Sequence, residues 1–336
     1  MNGNPGRIRP VLIALAFCGA ALLTFLVARL GVGNVAHAVA AARWGLLLVI
    51  VFHLVPLFMD TLTWWNLFPP ENRPPLSATY RMRWVGESVS YLLPFSSVGG
   101  DIVRARLAAL KGAPVRIAAA TVLADITLGI VVQTLFTLTG VFLLLNATGR
   151  QHVLVPLMAG AALAALCVCG FYAAQRYGMF RILGALLKRI AKDPSWHSLA
   201  DKGGGIDAGV RVVYGRRRAV LVSCLCTLGA WLASSTEVWI ALRAVGLDVG
   251  FDKAVILESM SQGMRAVLFF VPGALGFQEM GYIGAGKLLG IPGDIAVALS
   301  LIRRARELAL GLPGLVAWQF IEGHRLWRNR GVAAAE

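Results

Sequence analysis

The stretch GESVSYLLPFSSVGGDIVRARLAALKGAPVRIAAATVLAD, Gly86–Asp125, decides how this chain is read. It starts as an apolar segment suited to a membrane, yet it carries Glu87, meets Pro94 and reaches a Gly99-Gly100 pair expected to turn the backbone. A helix is expected to open at Asp101, placing Arg104, Arg106, Lys111 and Arg116 within one short span. Charge and a broken helix together in an apolar chain mark the working part of a membrane protein.

The rest of the chain supports the membrane setting. Of 336 residues 57% are hydrophobic, and the mean hydropathy is +0.70. A soluble domain is nearer 45–50% apolar. Several apolar runs reach the roughly 20 residues needed to span a hydrocarbon layer. The net charge of +15 sits between these runs. That placement fits the positive-inside bias and an anionic lipid surface, and argues against a nucleic-acid partner.

Familiar chemical motifs are incomplete, so no enzyme, cofactor or metal site is expected. Cys18, Cys167, Cys169, Cys224 and Cys226 lie inside apolar runs without metal-ligand spacing, and read as small buried hydrophobes. Gly281–Leu288 resembles a phosphate loop but lacks the Ser or Thr after Lys287. His37, His53, His152, His197 and His324 are scattered, with no triad or H-E-x-x-H spacing.

In chain order, an uncleaved first span is expected at Val11–Ala28 and a second at Trp44–Trp65, the latter holding His53, Pro56 and Asp60. The Pro-rich loop Phe68–Arg83 is basic and is placed in the cytoplasm. A full crossing at Trp84–Val98 would put four basic residues outside. A re-entrant hairpin, entering near Trp84 and returning by Leu110, keeps them inside. Spans follow at Ile117–Leu145, Val153–Ala174 and Ala219–Val245. Residues 175–218 form a basic cytoplasmic loop with an amphipathic Phe180–Ile190 and an expected hinge at Lys202–Gly205. A second hairpin enters over Ala254–Val271, breaks at Pro272-Gly273 and returns over Gly276–Gly290, before a last crossing at Asp294–Phe320. The fold class is thus an all-α integral membrane protein in one polytopic domain, residues 1–336. It has about six full spans and two re-entrant hairpins, with both termini cytoplasmic.

The two hairpin regions align without a gap at an offset of 178 residues: Pro94 on Pro272, Asp101 on Glu279, Gly112 on Gly290 and Pro114 on Pro292. The repeat cores are residues 84–146 and 254–320. With opposite entry sides they form an inverted repeat, a device of transporters whose substrate site lies between halves. In this register Glu87 falls on Arg265 and Asp125 on Arg303. These four are expected to neutralise one another across the interface. A lone charge at the centre of a spanning helix costs about 2.5–3.5 kcal/mol on insertion scales. Asp101 and Glu279 each follow a Gly-containing turn and are expected to cap helices or to meet a lipid head group or a coupling proton. Arg303 and Glu307 are spaced for an i, i+4 pair. The candidate path residues are Glu87, Asp101, Arg104, Asp125, Arg265, Glu279, Arg303 and Glu307. The candidate hairpin breaks are Pro94, Gly99, Gly100, Pro272, Gly273 and Gly276.

Gly100-Asp101-Ile-Val-Arg104, Gly112 and the helix with Asp125 resemble the first signature of the flippase-like membrane proteins related to the lysylphosphatidylglycerol synthase transmembrane domain. Pro272-Gly273-Ala-Leu-Gly276-Phe-Gln-Glu279, with Arg303 and Glu307 beyond it, resembles the second. The runs YLLPFSSVGGDIVRARLAALKGAP and SLIRRARELALGLPGLVAWQ are most similar to the hopanoid-biosynthesis-associated branch. The resemblance implies a bacterial inner-membrane protein that moves hopanoids or related lipids, partnered by membrane lipids and by lipid-synthesis or export proteins. The wider family shows Gly-Glu and Glu-Arg where this chain has Gly100-Asp101 and Ala124-Asp125, a departure that suggests a less anionic lipid. With no aminoacyl-transferase domain after residue 336, lysyl transfer is not expected. The alternative is a non-transporting scaffold or regulator of a lipid-synthesis complex.

Overall fold

The computed structural model describes residues 44–93, 96–149, 166, 170–175, 177, 194–267 and 277–333, and every extended element among them is helical. Helices α1 (Trp44–Phe52) and α2 (Leu54–Leu67) make one span with a kink at His53. Pro56 accounts for the kink, because it has no N–H to offer the Phe52 carbonyl. The flanking bonds, His53 N–H to Val49 O and Leu57 N–H to His53 O, still form. This span, α5 (Val115–Thr148) and α7 (Arg217–Ala244) are long and apolar enough to cross a membrane. Leu47, Leu48, Val51 and Leu54 on the first, Leu135 and Phe142 on α5, and Leu221 and Leu225 on α7 point outward. In water such a surface would aggregate; in lipid it is the solvated face.

Between the spans lie α3 (Leu76–Leu92), α4 (Ser96–Leu110), α6 (Pro194–Gly215), α8 (Phe251–Val267), α9 (Phe277–Leu288) and the final α10 (Gly293–Ala333). Helices α3 and α4 pack as a hairpin, as do α8 and α9. The α3–α4 contact is close because both helices are bare where they meet. A Cβ on Gly100 would strike the Gly86 carbonyl and Ser90 Oγ.

Several sequence expectations change here. Gly99 and Gly100 do not turn the chain; they lie inside α4, where their small size serves packing. Because α4 opens at Ser96, Asp101 is in its second turn and does not cap its start. Helix α3 begins at Leu76, so Arg81 and Arg83 are helical and the preceding loop is shorter than Phe68–Arg83. The expected hinge at Lys202–Gly205 is helical within α6. Further along α6, where it lies close on α5, a Cβ on Gly209 would crowd Ala120 and the Arg116 carbonyl. Pro94, Pro272, Gly273 and Gly276, the spans at 11–28 and most of 153–174, and the Phe180–Ile190 segment lie outside the described residues.

The 178-residue register reappears in the backbone. After α4, the Lys111 amide donates to the Leu107 and Ala108 carbonyls, Gly112 to Ala109 and Ala113 to Ala108. After α9, Leu289 donates to Ala285 and Gly286, Gly290 to Lys287 and Ile291 to Gly286. Each bond matches its counterpart residue for residue. Gly112 and Gly290 hold φ of 96° and 72°, the left-handed region that other residues avoid. The next helix then starts past Pro114 or Pro292, whose carbonyls accept from Ala118 and Ala296. The contacts follow the same logic: α3 packs on α10, and α8 packs on α5.

Each half has its own core. Trp64, Met82, Val85, Leu107 and Ile117 gather in the first, and Leu242, Ile256, Leu257, Tyr282 and Ile302 are buried in the second. The halves meet along α2 and α7, which run antiparallel. Ser223 Oγ donates to the Thr63 carbonyl near one end, while His53 faces Glu237 near the other.

Candidate functional site

Buried charge collects in three places, all on helices that the two hairpins bring together. In the first, Asp125 Oδ2 on α5 accepts from Arg83 Nη1 of α3 at 2.7 Å and from Arg104 Nη1 of α4 at 2.5 Å. Arg104 also reaches Asp101 Oδ1 with Nε and Nη2 at 2.9 and 2.7 Å, and its guanidinium lies over Trp64. Arg83 Nη2 lies 3.3 Å from Asp60 Oδ2 on α2. Asp60 is thus the partly exposed end of this ladder. Three carboxylates and two guanidiniums alternate, which leaves each charge beside an opposite one.

The second set lies at the equivalent place in the other half. Arg303 Nη1 on α10 donates to Glu258 Oε2 of α8 at 2.7 Å and to the Tyr282 hydroxyl of α9 at 2.5 Å. Tyr282 and Gln262 each add a bond to Glu258, at 2.8 Å. The fully buried Glu258 carboxylate is therefore held by three donors. Tyr282 and Arg303 occupy the repeat positions of Arg104 and Asp125, so one contact recurs with its charges rearranged.

The third set joins the halves. His53, at the α1–α2 kink, stands between two carboxylates, with Nε2 3.1 Å from Glu87 Oε1 on α3 and Nδ1 2.8 Å from Glu237 Oε2 on α7. Arg306 Nη1 on α10 donates to Glu237 Oε1 at 2.6 Å and lies 2.7 Å from the same His53 Nδ1. Glu307 Oε2 accepts from Arg304 Nη1 at 2.7 Å. Its Oε1 lies 3.7 Å from both Arg303 Nε and Arg306 Nη2, too far for a hydrogen bond. Among the described residues, Glu307 Oε1, Arg303 Nε, and Arg306 Nε and Nη2 are buried without a hydrogen-bond partner.

A small cavity opens beside these atoms. His53, Glu87, Ser88, Arg306 and Glu307 line it with apolar Leu57 and Leu310, and it encloses about 10 Å³. That is space for about one water or one hydroxyl. An unpaired acceptor and unpaired donors beside such a space can hold a polar group that donates to one and accepts from the other.

Residues 11–314 match the family described as the lysylphosphatidylglycerol synthase TM region. The chain belongs to that family. It is also 23% identical, over 329 residues, to a UPF0104 membrane protein of Methanothermobacter thermautotrophicus, spanning 91% of this chain and 92% of that one. Family membership and the three apolar helices make this a membrane protein.

Within this member of the lysylphosphatidylglycerol synthase TM-region family, the residues singled out by sequence divide among the three sets. Asp101, Arg104 and Asp125 fall in the first; Arg303 links the second to the third; Glu87 and Glu307 belong to the third. Arg303 and Glu307 do approach as an i, i+4 ion pair, at 3.7 Å. The expected neutralisation of Glu87 by Arg265 and of Asp125 by Arg303 is not what forms. Asp125 and Arg303 are each satisfied within their own half, and Glu87 meets His53. Arg265 crosses the interface differently, its guanidinium 4.7 Å from the ring centroid of Tyr91, one turn beyond Glu87. Glu279 sits in the first turn of α9, and its side chain is outside the described residues. Sequence reasoning passed over His53, Glu237, Glu258, Tyr282 and Arg306. Their signal was simply an ionisable group inside an apolar helix, which is costly enough to need a reason.

Proposed function

We propose that this protein moves lipids across a bacterial inner membrane, with hopanoids or related weakly anionic lipids as cargo, and that it carries out no covalent chemistry. The observation that carries the reading is the seam of buried charge at the α1–α2 kink and on α3, α7 and α10, where Arg306 and Glu307, two residues that keep unpaired polar atoms, line a small cavity. Keeping unsatisfied charge inside an apolar protein is expensive, and a polar cargo group or ion that completes the set gives that expense a use. The Asp60–Arg83–Asp125–Arg104–Asp101 set, in contrast, has none of its atoms among the buried groups without a partner.

In this reading the two halves are an inverted repeat, with α3–α4 and α8–α9 as re-entrant hairpins, six full spans and both termini cytoplasmic. The antiparallel course of α2 and α7, and the matched corners after α4 and α9, support that topology. The cargo path runs between the hairpins, framed by Glu87, Arg265, Arg303 and Glu307, and by Glu279 at the start of α9. Membrane lipids, and proteins of lipid synthesis or export, are the partners.

Deleting the gene and fractionating inner and outer membranes tests the proposal. Unchanged total hopanoid with accumulation in the inner membrane is the expected result. Loss of total hopanoid would point instead to a scaffold of the synthetic machinery. In proteoliposomes, the purified protein should move a fluorescent lipid between leaflets, and failure to do so would sink the transport reading.

A further inference from the structure

The geometry points to His53 as a proton-binding site at the seam between the halves, and we propose that the proton it takes up is the ion coupled to lipid movement. The coupling part rests on the transport reading above; the proton site itself does not.

The argument begins with Nδ1 of His53. It lies within hydrogen-bond distance of Glu237 Oε2, which as a carboxylate only accepts, and of Arg306 Nη1, which only donates. No single protonation state satisfies both. With a lone pair on Nδ1, the imidazole accepts from Arg306 and uses Nε2–H to donate to Glu87, leaving Glu237 Oε2 without the ring. With a proton on Nδ1, the ring donates to Glu237 and to Glu87 at once, and faces Arg306 with an N–H. Gaining a proton therefore exchanges the partner of His53 from α10 to α7. The proton has a route in: the Glu87 side chain is 18% exposed and borders the cavity, whereas that of Glu237 is 6% exposed. Carboxylate, imidazole and carboxylate stand in a row, so the neutral tautomer with Nδ1–H takes a proton from the Glu87 carboxyl at Nε2 and becomes the imidazolium that donates to both Glu87 and Glu237.

The charged and titratable groups that face the ring come from each helix packed on α2. Helix α3 gives Glu87 and, one turn on, Tyr91; α7 gives Glu237; α10 gives Arg306 and Glu307. Helix α1 has no ionisable residue, and Asp125 of α5 is engaged with Arg83 and Arg104 beside Asp60. The elements that feel the proton are thus α3 from one half and α7 and α10 from the other.

Two measurements on the full-length protein test this. In nanodiscs, ¹⁵N-histidine spectra recorded from about pH 5 to about pH 9 and compared with His53→Gln identify the His53 signal. It should pass from doubly to singly protonated, and Glu237→Gln should move that transition to lower pH by about one unit or more, since the imidazolium loses a carboxylate. A single protonation state throughout would overturn the site. If His53→Gln does not fold, replacing His37, His152, His197 and His324 leaves His53 as the sole signal. In proteoliposomes, an imposed pH gradient should change the rate of fluorescent-lipid movement about threefold or more, with no such response in His53→Gln. Movement indifferent to the gradient would overturn coupling. A clear His53 transition with no lipid movement at all would overturn the transport reading and leave the proton site standing.

Discussion

The Asp60–Arg83–Asp125–Arg104–Asp101 ladder and the His53–Glu87–Glu237–Arg306–Glu307 seam both set carboxylates against guanidiniums, the seam adding an imidazole, yet they are wired differently. In the ladder each guanidinium bridges two carboxylates, and none of its atoms is among the buried groups without a partner. In the seam one imidazole nitrogen is claimed by both a donor and an acceptor, and Arg306 and Glu307 keep atoms with nothing to bond. The position in the fold explains the difference. The ladder lies within one half, where packing fixes all its members, whereas the seam is built from helices of both halves. A closed network holds structure; an open one at a junction can respond to a proton or a cargo group.

The comparison predicts a ranking of effects. Asp125→Leu should be the most damaging, because it removes the buried carboxylate that Arg83 and Arg104 share and leaves each with only a more exposed partner, Asp60 or Asp101. Breaking a buried pair costs about 3–5 kcal/mol, and fluorescence-detected size exclusion should show loss of the monodisperse peak. If the peak survived, the ladder would not be the structural set. Next, Glu307→Gln should keep the fold but lower lipid movement about tenfold, equivalent to ~1.4 kcal/mol. A normal rate in proteoliposomes would remove Glu307 from the path and blur the contrast between the two sets. Smaller still, Gly112→Ala and Gly290→Ala should each lower stability by about 1–2 kcal/mol through the left-handed backbone, read as a fall in the apparent melting temperature. Similar losses at both sites would mark the corners as equivalents, and a strong asymmetry would argue otherwise. Smallest is Arg243→Ala. Its pair with Asp248 is 2.9 Å long but 51% and 84% exposed at the side chains, so only its stacking over Trp239, 4.0 Å to the ring centroid, is lost with effect, a shift of about 0.5–1 kcal/mol at most.

Much of the scaffold is legible in the sequence. Apolar runs located α5, α7 and the α1–α2 span to within a few residues, because length and hydropathy alone decide what can cross a bilayer. The two matching corners were readable because Gly112/Gly290 and Pro114/Pro292 are demanded by backbone geometry, which side-chain context cannot override. Glycines 99 and 100 misled for a related reason. Glycine permits a turn but also permits close helix contact, and only the position of α3 chooses between them. The site was harder. Aligning charges by repeat register suggested that Glu87 and Asp125 would find Arg265 and Arg303. Helical phase decides otherwise: Arg83 and Arg104 already reach Asp125 from neighbouring helices. His53 was discounted for lacking a sequence motif, although its partners, Glu237 and Arg306, stand 184 and 253 residues away.

The corners after α4 and α9 have a mechanical consequence. Four backbone hydrogen bonds, a left-handed glycine and a proline within three residues leave each corner with almost no free torsion. A short hairpin helix and the long helix after it therefore form one bent crank, α4 with α5 and α9 with α10. Tilting either hairpin swings the far end of a long helix by a larger arc. Since α5 leans on α8 and α10 on α3, each crank's long arm bears on the opposite hairpin. A displacement of one hairpin would therefore press on the other.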